Sequence, residues 1–164
     1  MLMKKALAVI LTVITVLSLF GCSSKDYNRR KAEFEKDGIT LTLTEAFKET
    51  DLYPTMTHMA YTSGAATVAV FKETRGVIDK TSAKEYAEKW CASNVKFSPE
   101  PIKEEKGVIS TVYKAGYMDA EAVFYTTFFA SDSSYWIVQF FCAAEVYDEY
   151  APYFARWARK VKIA

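Results

Sequence analysis

Apolar and polar positions change their period several times along the chain. Ala6 to Phe20 is an apolar run broken only by Thr12, Thr15 and Ser18. From Ile39 to Thr44 the large aliphatic residues alternate with threonine, the period-two pattern of a strand with one buried face. Asp37-Gly38 precedes it and is a hairpin signal, because both residues can take positive φ. The extended stretch from Ala32 to Lys36 is therefore predicted to fold back on Ile39–Thr44. Thr44–Glu49 is read as a single helical turn with Phe47 tucked inward. Met56–Tyr61 and Ala66–Glu73 flank Ser63-Gly64 and read as a second strand pair, with Val68 and Val70 on one face.

The period then shifts to that of a helix. Ser82-Ala-Lys-Glu85 is a capping box, in which the serine hydroxyl accepts from the Glu85 backbone and the glutamate reaches back. Ala83, Ala87, Trp90, Cys91 and Asn94 follow at helical spacing, which predicts a helix over 82–94. Pro99 and Pro101 close that region as a loop. Three strands are predicted next: Val108–Lys114, a turn near Gly116, Ala120–Ala130, a turn at Ser131-Asp132-Ser133, and Ser134–Ala143. The last places Trp136, Val138, Phe140 and Cys142 on one face, with Ile137 and Phe141 on the other, so it reads as a central strand covered on both sides. Tyr147, Tyr150, Phe154, Trp157, Ala158 and Val161 then step by three and four as the stripe of a closing helix. Pro152 belongs in a first turn, which predicts that the helix starts near 148–151. The order is α+β: an antiparallel sheet with two main helices packed on it.

Composition narrows the class of protein. The 164 residues include 21 basic and 20 acidic side chains. Without Lys4 and Lys5 the balance is 19 to 20, about neutral, and no basic excess points to nucleic acid. Eleven tyrosines, eleven phenylalanines and three tryptophans supply large buried areas to a modest core.

The leader carries the sharpest signal. Lys4 and Lys5 form a positive start, and the fifteen apolar-run residues would span about 22 Å as a helix at ~1.5 Å per residue. That is short of the ~30 Å hydrocarbon core and suits a signal segment. Leu19-Phe20-Gly21-Cys22 resembles the lipobox of bacterial lipoproteins, with Phe20 bulkier than the usual residue there. The resemblance implies diacylglycerol on the Cys22 thiol and cleavage between Gly21 and Cys22. Residues 1–21 are thus read as a signal peptide, 22–31 as a lipidated tether, and 32–164 as one domain. The implied location is the outer face of the cytoplasmic membrane, the membrane being a partner through the lipid. Arg29, Arg30 and Lys31 have two open readings, contact with anionic headgroups or a solvated start of the domain.

Four segments carry a wider resemblance: Lys36-Asp-Gly-Ile-Thr-Leu-Thr-Leu, Ala83-Lys-Glu-Tyr-Ala-Glu-Lys-Trp, Tyr135-Trp-Ile-Val-Gln-Phe-Phe-Cys and Phe154-Ala-Arg-Trp-Ala-Arg-Lys-Val. They resemble small Firmicutes lipoproteins of the PsbP-like fold, which includes the DcrB-type lipoproteins. The likeness implies that fold over nearly the whole mature chain. It hands over no catalytic residues and no cofactor, and relatives that act as assembly or interaction factors imply a non-enzymatic binding module. The alternative is a small-ligand carrier with an aromatic pocket.

Candidate chemistry is sparse. His58 is the sole histidine, which speaks against a histidine metal cluster and against a Ser/His/Asp set, for which no G-x-S-x-G elbow exists. Glu104-Glu105 reads as a solvated pair. Cys91 and Cys142 form a pair in a chain read as exported, where a disulfide is permitted. Both are predicted to face one helix–sheet interface, either bonded or as two small apolar side chains. The bacteria whose proteins this chain resembles tend to avoid disulfides, which favours free thiols. Tyr113, Tyr117, Tyr125 and Tyr135 either line a partner surface or form core edges and cross-strand pairs.

Protein recovered from membranes should begin at Cys22 and carry acyl mass, and Cys22→Ser should remove that mass. An intact-mass spectrum that still includes Met1 would sink the lipoprotein reading.

Overall fold

The computed structural model describes residues 26–76, 78–117 and 119–164. The leader, Gly21 and Cys22 lie outside them. Strand β1 (Lys31–Lys36) pairs antiparallel with β2 (Ile39–Thr44), Lys36 opposite Ile39. Asp37 and Gly38 make the turn with φ of 44° and 98°, the positive values that let a two-residue loop follow the strand twist. Ile39, Leu41 and Leu43 are buried as the alternation predicts.

A second, larger sheet holds the rest of the strands. In chain order they are β3 (Lys48–Glu49), β4 (Met59–Thr62), β5 (Ala66–Thr74), β6 (Lys103–Glu105), β7 (Val108–Tyr117), β8 (Ala120–Ala130) and β9 (Ser134–Ala143). Their spatial order is β3-β4-β5-β9-β8-β7-β6, all neighbours antiparallel. Helix α1 (Ala83–Ser93) lies before β6, and helix α2 (Tyr147–Ala158) after β9. A last strand, β10 (Lys162–Ile163), returns to pair with β2 and completes a three-stranded sheet.

Three layers result. On one face of the large sheet, Val68, Val70, Trp136, Val138, Phe140 and Cys142 pack against the inner residues of β2 and against Tyr150, Phe154 and Trp157 of α2. On the other face, Ile137 and Phe128 meet Ala87, Tyr86 and Trp90 of α1. Tyr113, Phe124 and Phe141 continue that face beyond the helix. Helix α1 starts as its sequence requires: the Glu85 N–H donates to Ser82 Oγ at 3.2 Å, and the Ser82 N–H donates to Glu85 Oε2 at 2.7 Å. The Ser82 N–H first, and then the Ser82 hydroxyl donating to Glu85 Oε2 at 2.8 Å, hold the Glu85 carboxyl below the usual range.

Several expectations are corrected. Within the segment read as a tether, Asp26–Asn28 forms a 3₁₀ turn with Asp26 buried, and Lys31 opens β1. Thr44–Glu49 contains β3 in place of a helical turn, with Phe47 buried as foreseen. Gly116 is no turn: β7 runs on to Tyr117 and pairs Gly116 with Glu121. A Cβ at Gly116 would meet nothing within 4 Å, so the sheet face at this glycine is uncovered. Helix α2 begins at Tyr147, one residue ahead of the predicted window, which puts Pro152 beyond its first turn. The proline ring removes the bond to the Asp148 carbonyl, a loss that the buried Tyr150, Phe154 and Trp157 outweigh.

Phe154→Ala should lower stability by about 3–5 kcal/mol, because Phe154 is fully buried between α2 and β9. Val95→Ala, at an exposed site, should change it by less than about 0.5 kcal/mol. Denaturant unfolding of the two variants checks the contrast.

Candidate functional site

A groove runs along the outer flank of β7. Its wall is the segment Pro99-Glu100-Pro101, which two prolines keep extended. The Glu100 N–H donates to the Val112 carbonyl at 2.8 Å, and the Thr111 hydroxyl donates to the Glu100 carbonyl at 2.6 Å. This loop therefore serves as one more rung beyond the short β6. Tyr147, from the first turn of α2, closes the groove from the other side. One cavity of about 320 Å³ is lined by Glu100, Lys103, Ser110, Val112, Tyr125 and Tyr147. A neighbouring one of about 360 Å³ shares Glu100, Val112 and Tyr147 and adds Phe97, Tyr113 and Lys114.

The polar groups of the groove are suited to holding a ligand. Burial first, then Glu100 and Tyr125, push the Tyr147 phenol up to about 12. Tyr147 thus stays protonated at neutral pH and serves as a hydrogen-bond donor. Lys103 Nζ lies 3.2 Å from Glu100 Oε2 at the rim, an exposed pair worth about 0–1 kcal/mol and easily exchanged for contacts with a partner. Aromatic faces with polar tips and an exchangeable ion pair are the chemistry of recognition.

The four candidate tyrosines divide. Tyr125 lines the groove and Tyr117 is half-buried against Phe141. Tyr113 is buried apart from the edge that lines the second cavity: its ring stacks on Phe124 at 5.0 Å, and its hydroxyl accepts from Gln139 Nε2 at 2.9 Å. Tyr135 is core, stacked on Tyr86 at 4.2 Å and donating to Asp79 Oδ2 at 3.0 Å. Glu100 and Tyr147 escaped sequence reasoning as groove residues. Tyr147 belongs to the apolar stripe of α2, and nothing local in the sequence shows that β7 passes beside it.

The cysteines do not meet. Both thiols are free. Cys142 packs on the α2 face of β9. Cys91, on α1, faces Thr111 across the opposite side of the sheet. The expectation of one shared interface fails because Trp136, Val138, Phe140 and Cys142 point toward α2, while α1 covers the alternate residues. His58 sits edge-on to Trp136 at 5.3 Å, with Nε2 3.7 Å from Asp37 Oδ2. It lies on the small-sheet side, remote from both thiols. Glu104 and Glu105 are exposed on edge strand β6. Among the described residues no group of three or more His, Cys, Asp and Glu side chains could hold a metal, and no helix is long and apolar enough to cross a membrane.

Among solved structures, the chain is similar to cyanobacterial PsbP (CyanoP) from Synechocystis sp. PCC 6803. The TM-score is 0.51 at 10% identity, over 82% of this chain and 92% of that one. The fold is PsbP-like: an α+β arrangement of antiparallel sheets with two main helices. No family model and no curated protein sequence matches the chain.

Burial pushes the Cys142 thiol up to about 12 and also raises Cys91. At pH 8 only about one Cys142 in ten thousand is then a thiolate. A thiol reagent should leave folded Cys142 untouched and label half-buried Cys91 slowly. Denaturant without reductant should expose both to full labelling; a mass two protons short would instead reveal a disulfide.

Proposed function

We propose that this chain is a membrane-anchored extracytoplasmic lipoprotein, lipidated on Cys22, whose domain is a non-enzymatic binding or assembly module. The groove along β7 is its docking site. One observation carries the module reading: the groove combines the aromatic Tyr125 and Tyr147, the acceptor Glu100 and the exchangeable Lys103–Glu100 pair on a fixed strand edge. The lipobox order of Lys4, Lys5, the apolar run, Gly21 and Cys22 carries the anchor reading. The likeness to small Firmicutes lipoproteins, DcrB-type members included, agrees with both.

A second reading, a small-ligand carrier, draws on the cavity volumes, which stand at the low end of the range for ligand pockets, ~300–1,000 Å³. A protein partner is favoured because the groove lies open along an edge, where a ligand would keep much of its surface wet.

A photoreactive residue at Tyr125 should crosslink, in native membranes, to a protein that the same residue at Glu88 on α1 does not capture. Tyr147→Ala should lower the yield about tenfold, as for an anchoring aromatic. Equal capture from both positions would refute the groove as the docking site. No adduct, together with a small molecule that co-purifies, would establish the carrier instead.

A further inference from the structure

The domain begins as a clamp on α2. The Tyr27 ring stacks on Tyr153 at 3.9 Å and meets Tyr150 edge-on at 5.7 Å, while its hydroxyl donates to Glu149 Oε1 at 2.6 Å. The Thr44 hydroxyl donates to the Asp26 carbonyl at 2.8 Å, tying the same turn to the end of β2. Position 26 is only four residues after Cys22. A chain of that length reaches at most ~14 Å.

Cations gather where this turn meets the end of α2. Arg29, Arg30 and Lys31 are exposed and follow the turn directly. Arg156 lies over the Tyr153 ring at 5.2 Å. Lys160 sits beside Lys31, Arg156 and Arg159, and burial first, then Lys31, hold its ammonium below the usual lysine range. Of the nearby acids, Asp26 is buried in the turn with its Oδ2 unpartnered, and two others are engaged. Glu149 accepts from Tyr27, and Glu33 pairs with Lys162 at 3.3 Å. Glu45, whose N–H bonds the Arg30 carbonyl, is left exposed. Like charges held this close repel one another, and a surface of opposite charge relieves that repulsion.

We propose that Arg29, Arg30, Lys31, Arg156, Arg159 and Lys160 lie against anionic phospholipid headgroups, so that the domain turns one fixed face to the bilayer. The proposal rests on the reading of Cys22 as the anchor. The ~14 Å is an upper limit on the reach from Cys22 and is under two screening lengths of ~8 Å at physiological salt. The cationic face is therefore held within range of the surface potential, where each Lys or Arg strengthens attachment by about fivefold. Lys84 and Lys89 on α1 belong to the opposite layer, which turns outward.

The full chain is purified from membranes, its mass read for lipid on Cys22, and reconstituted in phosphatidylcholine vesicles with or without phosphatidylglycerol. An uncharged water-soluble amine reagent then reports each lysine by peptide mass. Lys31 and Lys160 should react about tenfold more slowly on the anionic vesicles, and added salt should remove the difference. Lys84 and Lys89 should react equally on both. Arg156→Gln with Arg159→Gln, at exposed positions, should return Lys31 to its rate on neutral vesicles. Equal rates for Lys31 and Lys160 on the two vesicles, or equal slowing of Lys84, overturn the proposal. Slowing by free inorganic phosphate on neutral vesicles to the same degree would assign the surface to a soluble anion and overturn it too. A chain without lipid on Cys22 refutes the anchor alone, because the labelling contrast is still read on that chain.

Discussion

Strand β9 has to be covered on both faces and along both edges. Of its ten residues only Ala143 is exposed. Trp136, Val138, Phe140 and Cys142 need one apolar cover, and Ile137 and Phe141 need another. Each large side chain gains about 1.5–3 kcal/mol from full burial, so neither face can be left to water. The chain meets this demand with two kinds of segment. Helix α2 follows β9 directly and folds back on it with little loop to close. Helix α1 and β5 come from far earlier in the chain, so their contacts carry the larger closure entropy. The three-layer PsbP-like arrangement is the consequence of one doubly buried strand.

Elements whose signal is local were legible in the sequence. The capping box at Ser82 and Glu85 places the start of α1, because both partners lie within one turn. Asp37-Gly38 places the first hairpin because the turn chemistry is held in two residues. The end of β8 and the start of β9 follow from Ser131-Asp132-Ser133 between them, and the two-faced apolar run of β9 follows from its own alternation. What escaped the sequence is set by distant contacts. β6 looks like a charged loop, and it is a strand because Lys106-Gly107, with φ of 51° and 79°, turns it back on β7. β10 has two residues and no pattern of its own; its existence depends on an open edge of β2. Pro152 misled for a related reason. A local cost of roughly 3 kcal/mol or more is outweighed by the tertiary burial of its helix.

The groove illustrates the same limit. Tyr125 was among the candidate surface residues read from the sequence, while Glu100 and Tyr147 were not read as such. Three segments contribute to it, and their meeting depends on register: Val112 lies opposite Tyr125, and Glu100 bonds Val112. Helical periodicity assigned Tyr147 correctly to the inner stripe of α2, yet the first turn of a packed helix has a flank that faces sideways. The cysteines fail in the mirror-image way. Each was placed correctly on its own element, but the side of the sheet that α1 covers is a topological fact that no local pattern records.

Helix α2 links the two surfaces. Tyr147 at its start enters the groove, and Arg156, Arg159 and Lys160 at and beyond its end form the cationic face. Its twelve residues span about 18 Å at ~1.5 Å per residue. The helix is pinned to β9 by Phe154 and Trp157 and to the N-terminal turn by the Tyr27–Tyr153 stack, so it cannot swing independently of the domain. If the cationic end rests on headgroups, the groove is held within a helix length of the bilayer surface. A partner that fills it must then itself be membrane-bound or reach down to the membrane. A freely diffusing protein would meet the α1 layer first, where mixed charges, Lys84 beside Glu104 at 3.8 Å among them, face solvent.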